Sequence, residues 1–154
     1  MTRQLKILCV AASMGLVVSG AVKSISACRC VEPKRPAEAY RSAEAVVVAK
    51  IVKLEPRPEL GGFAMFLFVE RAWKSEVNQE LSVITGSDCL YSVEPDKKYL
   101  LFLTRTPEKV FTTGQCMGNR PLGDADKPLR WLETSTKPAP VIPPSCDSCH
   151  KGLP

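Results

Sequence analysis

The sequence predicts a mainly β protein: a five-stranded barrel of the OB type with a short helix on either side, stapled by disulfides and followed by a proline-rich tail. Five short stretches are apolar or alternating, and turn residues separate them. Cysteines flank that region at both ends. The 154 residues, 45% of them hydrophobic, provide one packed core without any long low-complexity run. A two-sheet sandwich fits the same strand pattern.

Residues 1–27 read as a secretory leader. Residues 1–6 are basic, residues 7–22 are apolar or small, and Ser24, Ile25, Ser26 and Ala27 lead into Cys28. The 16-residue apolar run is shorter than the roughly 20 residues of a membrane span. Cleavage is therefore expected, with the product secreted, periplasmic or at the cell surface. A cut after Ala27 leaves Cys28 as a free N-terminal residue; a cut after Ala21 leaves six residues ahead of it. If Ile25-Ser26-Ala27-Cys28 acted as a lipobox, Cys28 would be lipidated and the protein held at a membrane. Lys23 is awkward for that reading. So is the count, because loss of Cys9 with the leader leaves an even six: Cys28, Cys30, Cys89, Cys116, Cys146 and Cys149.

The mature chain divides into a domain over residues 28–133 and a tail over residues 134–154. Residues 36–43 begin with a proline and read as a short helix. Residues 45–54 are rich in Val and Ile and run up to Pro56, which marks a strand. Residues 63–73 follow Gly61-Gly62 and start apolar on both faces, as a strand buried in a closed sheet does. Residues 80–85 alternate around Leu81 and Val83, residues 99–104 are apolar, and residues 109–113 form a shorter strand after Pro107. A second helix is expected over residues 126–133. Beyond it, Pro138, Pro140, Pro143 and Pro144 predict an extended tether over residues 134–144.

The charge balance removes one class of function. Taking the leader's Arg3, Lys6 and Lys23 from the 21 basic residues leaves 18 against 16 acids. So slight an excess, in an exported chain, argues against a nucleic-acid partner. Trp73 and Trp131 are expected to pack rather than to stack on bases. Asp124, Glu94 and Asp96 stand beside Gly or Pro, with Asp126 two residues after Asp124, and all four read as solvated turn residues. His150 is the single histidine, so no Ser-His-Asp or Cys-His centre is expected within the domain, and the chain does not read as an enzyme.

Cys28 and Cys30 open the mature chain, and Cys89 and Cys116 follow far downstream. Bridges between the two pairs would tie the N-terminal segment across the barrel. Spacing alone leaves their connectivity open. With the Cys28-Arg29-Cys30 start, the further landmarks are Ala45-Val46-Val47-Val48-Ala49-Lys50, the stretch from Val69 to Trp73-Lys74, Cys89, Tyr99-Leu100-Leu101-Phe102 and Thr113-Gly114-Gln115-Cys116. In that order they resemble the netrin-like domain, and specifically bacterial relatives of the tissue inhibitors of metalloproteinases, from about Cys28 to Leu132. The resemblance implies an OB-like barrel with Cys28–Cys89 and Cys30–Cys116 pairing. The family's third long-range bridge has no matching pair here. It also implies an inhibitory edge at Cys28, Arg29 and Cys30, where the α-amine and carbonyl oxygen of Cys28 chelate the zinc of a metalloprotease. The following residue enters that enzyme's specificity pocket. Arg29 departs from the small side chain that the animal inhibitors carry there. The alternative is that the cysteines only staple a structural or adhesive module, and a monomer is expected either way.

In the tail, Cys146-Asp147-Ser148-Cys149-His150 fits the CxxCH attachment signature of c-type haem, with His150 as axial ligand. A local Cys146–Cys149 disulfide needs no cofactor and is the simpler expectation. A Zn²⁺ ion would need a fourth ligand beyond these three residues. An exported redox or haem-binding protein is thus the alternative function.

Overall fold

The structure of the protein, a computed structural model, describes residues 30, 34–85 and 90–144. Helix α1 spans Pro36–Ser42, and strand β1 follows at Ala45–Arg57. After a single 3₁₀ turn, β2 covers Gly62–Trp73, followed by the two-residue β3 (Val77–Asn78) and by β4 (Glu80–Thr85). Then come β5 (Lys98–Arg105), β6 (Phe111–Thr113) and β7 (Arg120–Pro121). Helix α2 occupies Asp126–Ser135, and the short strands β8 (Pro138–Ala139) and β9 (Val141–Ile142) come last.

Five strands close on themselves in the order β1-β2-β4-β6-β5 and back to β1. Every pairing in that circuit is antiparallel except β4 with β6. This is the OB-like barrel that the strand pattern predicts, and the closure excludes the sandwich.

Alternation along the strands divides the apolar residues between two layers. Ala45, Val47, Ala49 and Ile51 of β1 fill the barrel together with Met65, Leu67, Val69, Val83, Tyr99, Leu101, Leu103 and Phe111. Their neighbours Val46 and Val48, with Leu100 and Phe102 of β5, lie in a second layer. Ala39 of α1, Leu132 of α2 and the buried Trp73 cover that layer. The continuous apolar runs at residues 45–49 of β1 and 99–103 of β5 are thus explained: over these residues neither strand has a face left for water. Tyr40 and Trp131 meet edge to face at 5.6 Å where the helices adjoin.

Two β-bulges bend the β1–β2 ribbon, where the register shifts between Val48 and Ala49 and between Ile51 and Lys53. Each extra residue reverses the alternation beyond it. Past the first shift, Ala72 packs with the interior and Trp73 with the helix layer. At the second, Val52 is left 58% exposed and Leu54 packs against the interior.

Strand β1 runs through Pro56, where the sequence pattern predicts that it stops. β5 pairs with β1 only as far as Lys50, so this end of β1 has one open edge, where a missing N–H is tolerated. Residues 138–142 are extended as expected but are docked rather than loose. β8 pairs antiparallel with Ala72 and Trp73, and β9 pairs parallel with β3. The Gln79 N–H donates to Ile142 O at 2.7 Å, and Ala139 and Val141 pack on the interior cluster. Among the described residues no helix is long and apolar enough to cross a membrane.

The two layers set up a direct test. Val48→Thr places a hydroxyl under the helices and is expected to cost about 1–3 kcal/mol in urea unfolding. Val52→Thr, on the exposed bulge, should stay within about 0.5 kcal/mol of the parent.

Candidate functional site

Of the residues that the sequence singles out for the N-terminal edge, Cys30 and Cys116 are described and are joined. They form a disulfide with a Cα–Cα distance of 5.3 Å across 86 residues of sequence. In the chain-entropy account, a loop of that length is worth about 4–5 kcal/mol. Cys28, Arg29, Cys89, Cys146, Cys149 and His150 lie outside the described residues, and the Cys28–Cys89 pairing with them.

The Cys116 half of the bridge is held by local structure. Cys116 sits in a 3₁₀ turn, Gln115–Met117, that closes on Gly118 at φ 97°. A side chain at Gly118 would be strained by that left-handed backbone. Its Cβ would also come within 3.0 Å of Ala39 Cβ in α1, so glycine fits on both counts. The next residue, Asn119, is buried and ties the turn to two strands. Its Oδ1 accepts the Phe102 N–H at 2.8 Å, while its Nδ2 donates to Thr113 Oγ1 at 2.8 Å and to Gly114 O at 2.9 Å. The Thr113 hydroxyl in turn donates to Phe102 O at 2.7 Å.

On the Cys30 side, α1 starts at Pro36 and is fixed at both ends. The Glu38 carboxylate accepts the Arg35 N–H at 3.3 Å at its start. At its end, Lys74 Nζ donates to Tyr40 O at 2.9 Å, to Arg41 O at 3.0 Å and to Ala43 O. Those carbonyls have no partner within the helix, and a cation there also suits the helix dipole. Lys74 adopts φ 76°, an uncommon conformation for a lysine, in making these contacts.

The bridge borders a depression of about 350 Å³ lined by Lys34, Gln115, Gly118, Asn119 and Arg120. The segment after position 89 is anchored by Tyr91, whose ring meets Tyr99 edge to face at 6.1 Å. Burial, and then the neighbouring Tyr99, push the Tyr91 phenol up to about 12. Among the described residues, no three His, Cys, Asp or Glu side chains are grouped so as to hold a metal ion.

No protein-family model and no curated protein matches this chain. The site therefore rests on its own residues. Sequence reasoning missed Asn119 altogether, although Gly118-Asn119 after a cysteine is a turn signal. It used Lys74 only as a landmark and did not assign it a role as a cap.

Two outcomes are expected. Asn119→Ala strands the Phe102 N–H and the Gly114 carbonyl, and should cost about 2–4 kcal/mol in denaturant unfolding. For Tyr91, the unfolded chain loses the phenolic proton near pH 10, whereas the folded protein keeps it to about 12. The folded state then binds more protons than the unfolded one, so stability falls as pH rises through that interval. Urea midpoints of Tyr91→Phe should fall less than those of the parent over the same range.

Proposed function

We propose that this protein is an exported inhibitor of zinc metalloproteases and not an enzyme. It acts through the α-amine and carbonyl oxygen of a mature N-terminal Cys28. The observation that supports the reading best is the Cys30–Cys116 disulfide, which ties the chain two residues beyond Cys28 to the turn held by Asn119. A start fixed in this way lowers the entropy lost on docking.

The chemistry needs little else from the inhibitor. An α-amine with a pKa near 7.7–8 loses its proton readily at neutral pH and becomes a nitrogen ligand. With the adjacent carbonyl oxygen it chelates the protease's zinc and displaces the water that the enzyme must activate. Arg29 selects the target. A guanidinium is costly to bury in an apolar pocket, so the fitting protease offers an acidic or water-filled one.

Intact mass and N-terminal sequencing of the exported protein should show a start at Cys28 with an unmodified amine. An alanine inserted ahead of Cys28 should weaken inhibition of a susceptible zinc protease by about 100-fold or more, as loss of a buried polar anchor does. A start at Val22, an acylated Cys28, or full potency in the alanine-extended protein would overturn the reading. What would remain is a disulfide-stapled structural module.

A further inference from the structure

Charge is spread unevenly over residues 28–154, and the surplus sits in the two segments that the bridge joins. One runs through α1, over residues 28–42; the other, residues 113–120, holds the Cys116 turn. Together they contain Arg29, Lys34, Arg35, Arg41 and Arg120 against Glu32 and Glu38. The rest of residues 28–154, with 13 basic and 14 acidic side chains, is close to neutral. Two carboxylates cannot neutralise five cations, so this patch keeps a net positive charge.

The described cations of the patch also differ in their partners. Elsewhere, Lys50, Lys53, Arg57, Arg71, Lys98 and Arg105 each lie 2.6–3.8 Å from a carboxylate. Lys34, Arg35, Arg41 and Arg120 have no such partner among the described residues. Lys34 Nζ donates to Ser42 Oγ at 3.2 Å, and Arg41 Nε to Ala37 O at 3.4 Å. Lys34 and Arg120 both line the depression beside Cys30–Cys116, whose described lining includes no acid.

Charge of one sign beside a contact edge steers an oppositely charged partner onto it. We propose that this basic patch docks against an acidic rim around the active-site cleft of the target protease and sets the rate of association. The inference rests on the inhibitory reading, which brings an enzyme to Cys28, two residues from the bridge. It adds a requirement on that enzyme: Asp and Glu side chains border its cleft. Ion pairs at an exposed rim add little to the final affinity, so the charge acts chiefly on encounter.

The probe is the enzyme that the mature protein inhibits most tightly in a panel of zinc metalloproteases, with association followed as progressive loss of peptidase activity. The parent's association rate constant should fall steeply between about 0.01 M and about 1 M salt, as the screening length shrinks from about 30 Å to about 3 Å. At the lower salt, Lys34→Glu combined with Arg120→Gln should slow association by about tenfold or more and flatten the salt dependence, with dissociation little changed. Lys53 lies on the part of β1 that pairs only with β2. Lys53→Glu and Lys34→Glu alter the net charge equally, yet at about 0.1 M salt, with screening over about 10 Å, only Lys34→Glu should slow association. Intact mass without reduction confirms the Cys30–Cys116 bridge in each variant. A salt-independent rate in the parent, or equal slowing by Lys53→Glu and Lys34→Glu, would overturn this inference and leave the inhibitory reading standing. A mature protein that inhibits no member of the panel would overturn both.

Discussion

The apolar pair β1 and β5 governs how the rest of the chain is arranged. Ala45, Val47, Leu101 and Leu103 are taken up by the barrel interior, while Val46, Val48, Leu100 and Phe102 point the other way and are just as deeply buried. A bare barrel would leave that second row in water, at a cost of about 1.5–3 kcal/mol for each large side chain. Helices α1 and α2 must therefore cover it. Covering it brings the N-terminal helix against one wall of the barrel. The disulfide at Cys30 and the Lys74 cap then fasten a segment that apolar burial has already brought into place.

The polar contacts at this wall follow from the same packing. Where β7 is only two residues long, the β5 backbone beyond it needs another partner, and Asn119 takes the Phe102 N–H. Its remaining amide hydrogens reach Thr113 and Gly114, so one side chain links β5, β6 and the turn that carries Cys116. A buried amide with its partners in place specifies one arrangement of the turn, which a purely apolar contact would not.

Much of the fold was legible in the sequence because burial writes itself into residue type. The runs at 45–54 and 99–104, the alternation at 80–85 and the helix at 126–133 all appear close to where they were expected. The bulges left no such mark: an extra residue at a register shift changes which face Ala72 and Leu54 occupy without changing their type. Two-residue ladders such as β3, β7, β8 and β9 are too short to show a period. Pro56 misled because a proline ends a strand only where its N–H is needed. At the site, Cys30 and Cys116 were evident as cysteines, but only the resemblance suggested their pairing. Asn119 and Lys74 take their roles from long-range contacts, and nothing in the neighbouring residues announces them.

The C-terminal strap has a bearing on the molecule's behaviour in crowded surroundings. β8 lies along the last residues of β2, and β9 along β3, so backbone groups that would otherwise form a bare sheet margin are already occupied. An uncovered margin of that kind invites the same strand from a neighbouring molecule. A chain shortened after helix α2 would keep its barrel and its N-terminal bridge, yet it would acquire an adhesive rim. A stretch of sequence whose prolines make it look like mere spacer thus closes off that margin.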